Sequence, residues 1–477
     1  MKDRDISIVV QGTVQTPSTQ GTYRNIDLVS GCIFFLIAIL SVAAELAAMP
    51  MLRMPAVWLL GLFLVLQIPF VSKPQKVAGI ILVLLGVVIS WRESQIVSII
   101  AGGLERTLPF LLIFASVGWL QTAARQSPSI LALRDHVLAL GPGRRFAALA
   151  ASAHVLASSF NLAGMALLVP LLDDQKSPQS KKRLACSIMW GFTAATCWSP
   201  FFVGTAVVLD VLPMVVWADI LPIGLAFAIV ILILAWGFDR AFVRDGPSSS
   251  VQASVKTDLT IKRAVVGVVT AAATLFAVAI ILVDYVGLRL PVAVAVAAPS
   301  FSLAWMCLTA KQAGLAETGK GLIADAQGVI CRYPQMRSET FLFVCANVFG
   351  AAMSILIADP DGLPDIGSYL PQSTALAGII LVVGYLVVSA LGIHPIVSLT
   401  VFAALSSPEN LPIAPEFLAV LMMALWGIGT AISPLSGTTL FMGHAVHIPS
   451  STIAWRWNGP YYFCCSVLLV LGLIIVL

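Results

Sequence analysis

Long apolar segments are the feature that most restricts how this chain can fold. A helix needs about 20 apolar residues to cross the hydrocarbon core of a bilayer. We count eleven such segments in the 477 residues, at 27–48, 55–72, 76–90, 107–122, 184–209, 217–237, 263–283, 287–309, 339–357, 417–443 and 460–477. Only 10% of the residues are charged, against about 25% in soluble domains. The sequence therefore predicts an all-α polytopic membrane protein of the cytoplasmic (inner) membrane, with eleven transmembrane helices and no role in binding nucleic acid.

Two further apolar stretches, 144–172 and 373–407, are too long for one straight helix and contain polar or glycine residues near their midpoints. Short cytoplasmic loops are rich in Lys and Arg. The first stretch is flanked by basic residues at 144–145 and 176–183. The second is flanked by acidic residues at 359–365 and 409–416. Each stretch is therefore predicted to be a re-entrant hairpin, the first open to the cytoplasm and the second to the outside. The N-terminus is then inside and the C-terminus outside.

The two halves of the chain follow the same order of elements. The sequence RTLPFLLIFASVG at 106–118 matches SETFLFVCANVFG at 338–350, and each is followed by a hairpin and then by an apolar segment that contains Ser-Pro. Phe110 matches Phe341, which is 231 residues later, and Ser199 matches Ser433, which is 234 residues later. Because the halves enter the membrane from opposite sides, they form inverted repeats, which are typical of secondary transporters.

The predicted organisation has five parts. They are a cytoplasmic N-terminal segment (1–26), an extra first transmembrane helix with its outer loop (27–54), a first inverted repeat (55–238), a cytoplasmic linker (239–262) and a second inverted repeat (263–477). The repeats contain the hairpins at 144–172 and 373–407 and broken helices at 184–209 and 417–443. The linker is predicted to be flexible because it is rich in Gly and Ser.

Polar residues interrupt the apolar pattern at four places within the membrane. Irregular backbone is tolerated there only where it is buried in protein or lines a watery cavity. Pro200 and Pro434 each remove a helix amide hydrogen, and Pro395 lies within the second tip. Freed carbonyls suit a cation, helix N-termini suit an anion, and hydroxyl groups suit either. The alternative is that these residues only allow close packing or kinks. The four places are the hairpin tips ASSFNLAG (157–164) and SALGIHPI (389–396) and the breaks TCWSP (196–200) and TAISPLSGTT (430–439).

This arrangement resembles the ion transporter superfamily, and most closely the layout of the divalent anion:sodium symporters, with the membrane subunit of tripartite carboxylate transporters as a near relative. The resemblance covers residues 55–477 and implies a homodimer with an elevator mechanism, whose site holds sodium and a carboxylate. Carried over to this sequence, the implied ligands are Ser158, Ser159, Asn161, Thr196, Ser199, Gly204, Thr205, Ser389, Gly392, Thr430, Ser433, Ser436, Gly437, Thr438 and Thr439. The second tip lacks the Asn and Thr of the family motif, so we expect one cation site or proton coupling in place of two sodium sites.

His394 is the ionisable residue that the sequence places at a hairpin tip. Ionisable residues inside a membrane are usually functional, so His394 is expected to bind a carboxylate or carry a proton. The alternative is a neutral histidine bonded to a backbone carbonyl.

The chain contains no Walker-type loop, HExxH motif or GxSxG elbow, which excludes the common routes to ATP-driven pumping and hydrolysis. The sequence therefore predicts a secondary active transporter for a small organic anion, driven by sodium or protons, with neither enzymatic activity, resident metal nor cofactor. An inorganic oxyanion or metalloid transporter, a cation antiporter, a channel and a membrane scaffold are the alternatives.

Overall fold

The computed structural model describes residues 17–93, 96–173, 175, 177–243, 258–312, 318–358, 374–399 and 413–476. The regular elements of this part of the chain are all helical. The α-helices are α1 (Pro17–Leu46), α2 (Arg53–Gln67), α3 (Lys73–Glu93), α4 (Ile96–Arg125), α5 (Pro128–Ala139), α6 (Pro142–Phe160), α7 (Leu162–Leu168), α8 (Pro178–Ala195), α9 (Val203–Val211), α10 (Trp217–Phe238), α11 (Asp258–Ile280), α12 (Leu290–Gln312), α13 (Thr318–Ile330), α14 (Arg337–Ala358), α15 (Thr374–Ala390), α16 (Pro415–Ile432), α17 (Gly437–Val446) and α18 (Gly459–Val476).

Eight helical stretches of the described chain are long and apolar enough to cross a membrane. Each overlaps a segment predicted from the sequence. They are Asn25–Leu46, Pro50–Phe70, Ile96–Arg125, Trp217–Val243, Lys262–Tyr285, Leu290–Thr309, Gly321–Ile355 and Pro415–Val446. The other three predicted segments correspond to α3, to the α8–α9 pair and to α18. The all-α polytopic class is confirmed, and the number of eleven crossings stays a prediction.

The outward faces of several helices are apolar. Val65 of α2, Val88 of α3 and Val266 of α11 are each more than 60% exposed. Large apolar patches are rare on monomeric soluble proteins. A bilayer, in contrast, is a favourable surrounding for such side chains, so this exterior agrees with a membrane-embedded fold.

The first predicted hairpin is a helix–turn–helix formed by α6 and α7. The chain reverses at Asn161, whose φ of 53° is rare for a residue other than glycine. The two arms lie so close that a Cβ atom on Gly164 would overlap the Leu156 carbonyl group. The α6 arm packs against α8 in the same way, because Gly191 of α8 lies directly against the Ala150 carbonyl.

The second predicted hairpin begins with α15 and turns at Gly392, whose φ is 98°. The chain is helical again over 395–399. The rest of the predicted return arm, 400–407, lies outside the described residues. So do residues 1–16 of the predicted N-terminal segment, residues 244–257 of the linker, and most of the acidic flanks, at 359–373 and 400–412.

Helices α4 and α14, which contain the matched sequences at 106–118 and 338–350, pack against each other at the boundary between two hydrophobic cores. One core surrounds α1 and α2, and the other surrounds α6 to α10 and α16 to α18. Leu111 of α4 belongs to the first core, whereas Phe110, its neighbour in the chain, belongs to the second. A hydrogen bond of 3.1 Å from Asn347 Nδ2 to Thr107 Oγ1 joins the two helices. This helix pair therefore holds the two cores together.

Candidate functional site

The first helix break follows directly from Pro200. Helix α8 ends at Ala195 and α9 begins at Val203, so the predicted break at 196–200 is where the helix is interrupted. Side chains then pair with the exposed backbone: Thr205 Oγ1 donates to the Ser199 carbonyl at 2.6 Å, and Trp217 Nε1 donates to the Trp198 carbonyl at 2.8 Å. Buried carbonyl groups need such partners, and here side chains provide them.

The second break follows from Pro434 in the same way. In a continuous helix the amide of residue 434 would donate to the Thr430 carbonyl, but proline has no amide hydrogen. The hydroxyl of Ser436 donates to that carbonyl instead. Thr439 Oγ1 donates to the Ser433 carbonyl at 2.6 Å. Helix α16 therefore ends at Ile432, and α17 begins at Gly437 with Ser436 as its N-cap.

The hydrogen bonds of the two breaks match at a constant offset of 234 residues. Thr205 bonds the Ser199 carbonyl as Thr439 bonds the Ser433 carbonyl, and both distances are 2.6 Å. A second matched pair lies one turn earlier, where Thr196 Oγ1 donates to the carbonyl of residue 193 at 2.7 Å and Thr430 Oγ1 to that of residue 427 at 2.8 Å. The two breaks thus share local geometry as well as sequence.

Each predicted hairpin tip packs against the break in the same half of the chain. At the first, Asn161 Nδ2 donates to the Phe201 carbonyl at 3.3 Å, and the Ser199 hydroxyl donates to the Ser158 carbonyl. At the second, a Cβ atom on Gly392 would lie 3.0 Å from the Leu435 side chain. The structure therefore brings each predicted tip together with its predicted break.

The two breaks also meet each other. A Cβ atom on Gly427 of α16 would overlap the Thr196 hydroxyl at the end of α8. A Cβ atom on Gly204 of α9 would lie 2.7 Å from the Trp426 indole. Thr196 Oγ1 also lies 3.4 Å from the Met423 carbonyl oxygen, to which it can donate. The two broken helices cross at these points, and glycine is required at both because there is no room for a side chain.

Most of the predicted hydroxyl ligands donate to backbone carbonyl groups. A hydroxyl that donates its hydrogen to the backbone keeps lone pairs for a cation but has no donor left for an anion. The residues in this state are Ser158, Thr196, Ser199, Thr205, Thr430, Ser436 and Thr439.

Three other predicted hydroxyls are different. Ser159, Ser389 and Ser433 are at most 1% exposed. The Oγ atoms of Ser159 and Ser433 have no hydrogen-bond partner in the described part of the chain, whereas the Ser389 hydroxyl interacts with the Tyr385 hydroxyl. Each can both donate and accept. Ser389 and Ser433 both neighbour Gly429 of α16. A Cβ atom on Gly429 would lie 2.9 Å from Ser389 Oγ, and the Gly429 carbonyl accepts from the Ser433 amide.

His394 lies between two aromatic rings. Its ring centroid is 6.1 Å from that of Phe343 and 5.9 Å from that of Trp426. Its Nδ1 accepts a hydrogen bond of 3.3 Å from the Ile396 amide, so Nδ1 carries no hydrogen there and the neutral ring holds its hydrogen on Nε2. Pro395 begins the short helix that follows. The remaining predicted ligand, Thr438, is 6% exposed in the first turn of α17.

Three residues of this site were not predicted from the sequence. Trp426 contacts both His394 and Gly204, and Asn458 Nδ2 donates to the Ala431 carbonyl of the second break at 3.0 Å. Glu339 Oε1 lies 3.8 Å from the position of a Cβ on Gly437. Of these three residues, only Glu339 could have been singled out from the sequence, because it is an acidic residue at the start of a predicted transmembrane segment.

The fold is similar to that of the Alcanivorax borkumensis YdaH transporter, whose crystal structure is described as revealing an unusual topology. The two share 16% sequence identity and superpose with a TM-score of 0.52 over 81% of this chain and 87% of that one. The chain has the fold of a membrane transporter. No protein-family model and no curated protein matches the sequence. These comparisons do not support the narrower resemblance to divalent anion:sodium symporters, which stays a prediction.

Proposed function

We propose that this protein is a secondary active transporter that moves a small organic anion, a carboxylate, across the cytoplasmic membrane with a sodium or proton gradient. The observation that carries the proposal is the pair of matched helix breaks, each packed against a hairpin tip. Such breaks cost backbone hydrogen bonds inside a membrane, and protein structures tolerate them where they are buried or line a cavity. In secondary transporters, discontinuous helices of inverted repeats form the substrate site.

The chemistry of the site suits a carboxylate. Helices α9 and α17 both begin at the breaks, and helix N-termini attract anions because their first amide groups are unpaired and the helix dipole is positive there. Ser433 adds a hydroxyl group that is free to donate, and the Ser389 hydroxyl is buried beside that of Tyr385. We place the anion between these hydroxyls and the N-terminus of α17.

The coupling cation has a separate set of ligands in this proposal. Hydroxyl groups that already donate to the backbone, such as those of Ser158 and Thr205, offer only lone pairs, which suits sodium. The two tips differ, because the turn residue is Asn161 at the first and Gly392 at the second. We therefore propose a single cation site at the first tip, or a proton in its place.

The two hydrophobic cores agree with an elevator mechanism. We propose that the core containing the hairpins and breaks moves against the core around α1 and α2, with α4 and α14 between them, and that the protein works as a homodimer. No resident cofactor takes part in this scheme.

Uptake into proteoliposomes tests the proposal. Purified protein is offered mono- and dicarboxylates, inorganic oxyanions and neutral analogues, with sodium and proton gradients imposed separately. We expect a carboxylate to be taken up with a shallow dependence on sodium, of Hill coefficient near one or below. A Hill coefficient near two would contradict the single cation site, and uptake of oxyanions alone would contradict the substrate class.

A further inference from the structure

A second polar site lies away from the breaks, where the C-terminal ends of α1 and α9 meet the starts of α2 and α12 and the first half of α4. It is a pocket of about 310 Å³. Six of its thirteen lining residues are charged: Glu45, Arg53, Glu105, Arg106, Asp210 and Arg289. In the predicted topology this end of the bundle faces the outside. Its lining contains no residue of the tips or breaks, so it needs its own account.

The charges of the pocket balance, since three guanidinium groups face three carboxylates. A net anion would meet three carboxylates there, and a net cation would meet three guanidinium groups. A ligand that carries one charge of each sign matches both. The volume is at the lower end of the range for small-molecule sites, which is about 300–1,000 Å³.

The ion pairs inside the pocket are loose. Arg53 Nη1 lies 3.6 Å from Glu105 Oε1, and Arg289 Nη2 lies 3.8 Å from Asp210 Oδ1. Direct hydrogen bonds between such groups are shorter, about 2.7–2.9 Å. The four side chains are also 42–57% exposed. Exposed pairs of this kind contribute little to stability, and their donors and acceptors remain available to a ligand.

Two further observations point to a ligand. Ser41 lines the pocket, is 9% exposed, and its hydroxyl has no hydrogen-bond partner within the described residues. Asp210 lies just beyond the predicted crossing at 184–209, and burial raises the pKa of its carboxyl while the nearby Arg289 and Arg106 guanidinium groups act to lower it. A cation beside Asp210 would therefore stabilise the charged form of its carboxyl group.

We propose that this pocket binds a small zwitterion of the amino-acid class. Arg106 and Arg53 hold its carboxylate, Asp210 and Glu105 hold its ammonium group, and Ser41 bonds to either end. Asp210 belongs to α9, the half-helix that starts at the first break, so an occupant of the pocket contacts the element that carries Thr205. The proposal concerns binding alone and does not depend on the proposed transport function.

Calorimetric titration of the purified full-length protein in detergent tests this site. The probes are β-alanine and γ-aminobutyrate, with butyrate and butylammonium as analogues that carry one charge. We expect at least one zwitterion to bind at least tenfold more tightly than either analogue. Arg106→Gln and Asp210→Asn should each weaken that binding about tenfold, the loss expected when a hydrogen bond to a charged group is removed.

Arg240→Gln is the matched control. It also removes a guanidinium group, but this group lies 5.1 Å from the centre of the Trp236 ring, near the C-terminal end of α10. Neither residue lines the pocket, so the substitution should leave binding unchanged. The result that would overturn the proposal is equal binding of butyrate or butylammonium, no binding of either zwitterion, or binding that Arg106→Gln leaves intact.

Two further variants separate this site from the helix breaks. If Ser433→Ala abolishes zwitterion binding and Arg106→Gln does not, the ligand occupies the breaks, and the pocket proposal fails while the proposed function stands. If Asp210→Asn does not yield folded protein, Arg106→Gln and Ser41→Ala decide the outcome. Each should weaken binding without changing the elution volume of the protein.

Discussion

Ser433→Ala is the substitution that most clearly separates a ligand from a structural residue. The Ser433 hydroxyl is fully buried and has no hydrogen-bond partner among the described residues. A buried hydroxyl without a partner costs about 1–3 kcal/mol. Removing it should therefore leave the thermal unfolding midpoint unchanged or raise it. If the hydroxyl binds substrate, the same change should weaken binding by about 0.5–1.5 kcal/mol, which is roughly a twofold to thirteenfold change in affinity.

The matched control is Thr439→Val, six residues later in the same break. This change keeps the shape of the side chain but removes the 2.6 Å hydrogen bond to the Ser433 carbonyl. The loss leaves the buried carbonyl with only the longer bond of 3.4 Å from the Ser436 amide, so we expect the protein to be destabilised by about 1–3 kcal/mol. Thr205→Val removes the equivalent bond in the first repeat, also 2.6 Å, and should cost a similar amount.

Both properties are measured on the same preparations. Thermal unfolding in detergent gives the change in stability, and initial uptake rates over a range of substrate concentrations give the change in affinity. The reasoning is refuted if Ser433→Ala lowers the unfolding midpoint as much as Thr439→Val does and leaves uptake at the wild-type level. That pattern would mean that Ser433 only packs the break.

Three further predictions address the breaks, the crossing of the helices and the topology. Pro434→Ala allows α16 to continue across the break, so uptake should be lost at an unchanged yield of folded protein; normal uptake would contradict a functional break. Gly427→Ala places a methyl group on the Thr196 hydroxyl, so thermal unfolding should show a loss of stability of about 1–3 kcal/mol. Gly61→Ala is the control, because nothing lies within 4 Å of its new methyl group, and it should be neutral in the same assay. A cysteine that replaces Ser180 in a cysteine-free background should react with an impermeant reagent only from the cytoplasmic side, and labelling from outside would contradict the inverted repeats.

The class of fold and the positions of the breaks could be predicted from the sequence because both depend on local chemistry. Apolar segments of bilayer length define the helices, and Pro200 and Pro434 remove amide hydrogens wherever they occur. The turn at Asn161 follows from similar reasoning, since asparagine tolerates a positive φ better than most residues.

The partners of the breaks could not be predicted, because they come from distant parts of the chain. Trp426 faces Gly204 and Asn458 bonds the Ala431 carbonyl only once the helices have packed. In the sequence Trp426 is one apolar residue among many, and Asn458 lies outside the predicted segments. The charged pocket is a stronger example, since its charged residues are spread over four helices and the residue before α12, and they appear in the sequence as separate loop or helix-end charges.

Accumulation of a carboxylate against its gradient is the measurement that tests the central claim most directly. Proteoliposomes loaded with buffer receive a radiolabelled carboxylate outside, together with an inward sodium or proton gradient. The account predicts that the internal concentration rises above the external one, that an ionophore collapses this accumulation, and that Pro434→Ala abolishes it. Uptake that stops at equal concentrations, whatever gradient is imposed, would indicate a channel and would contradict a secondary active transporter.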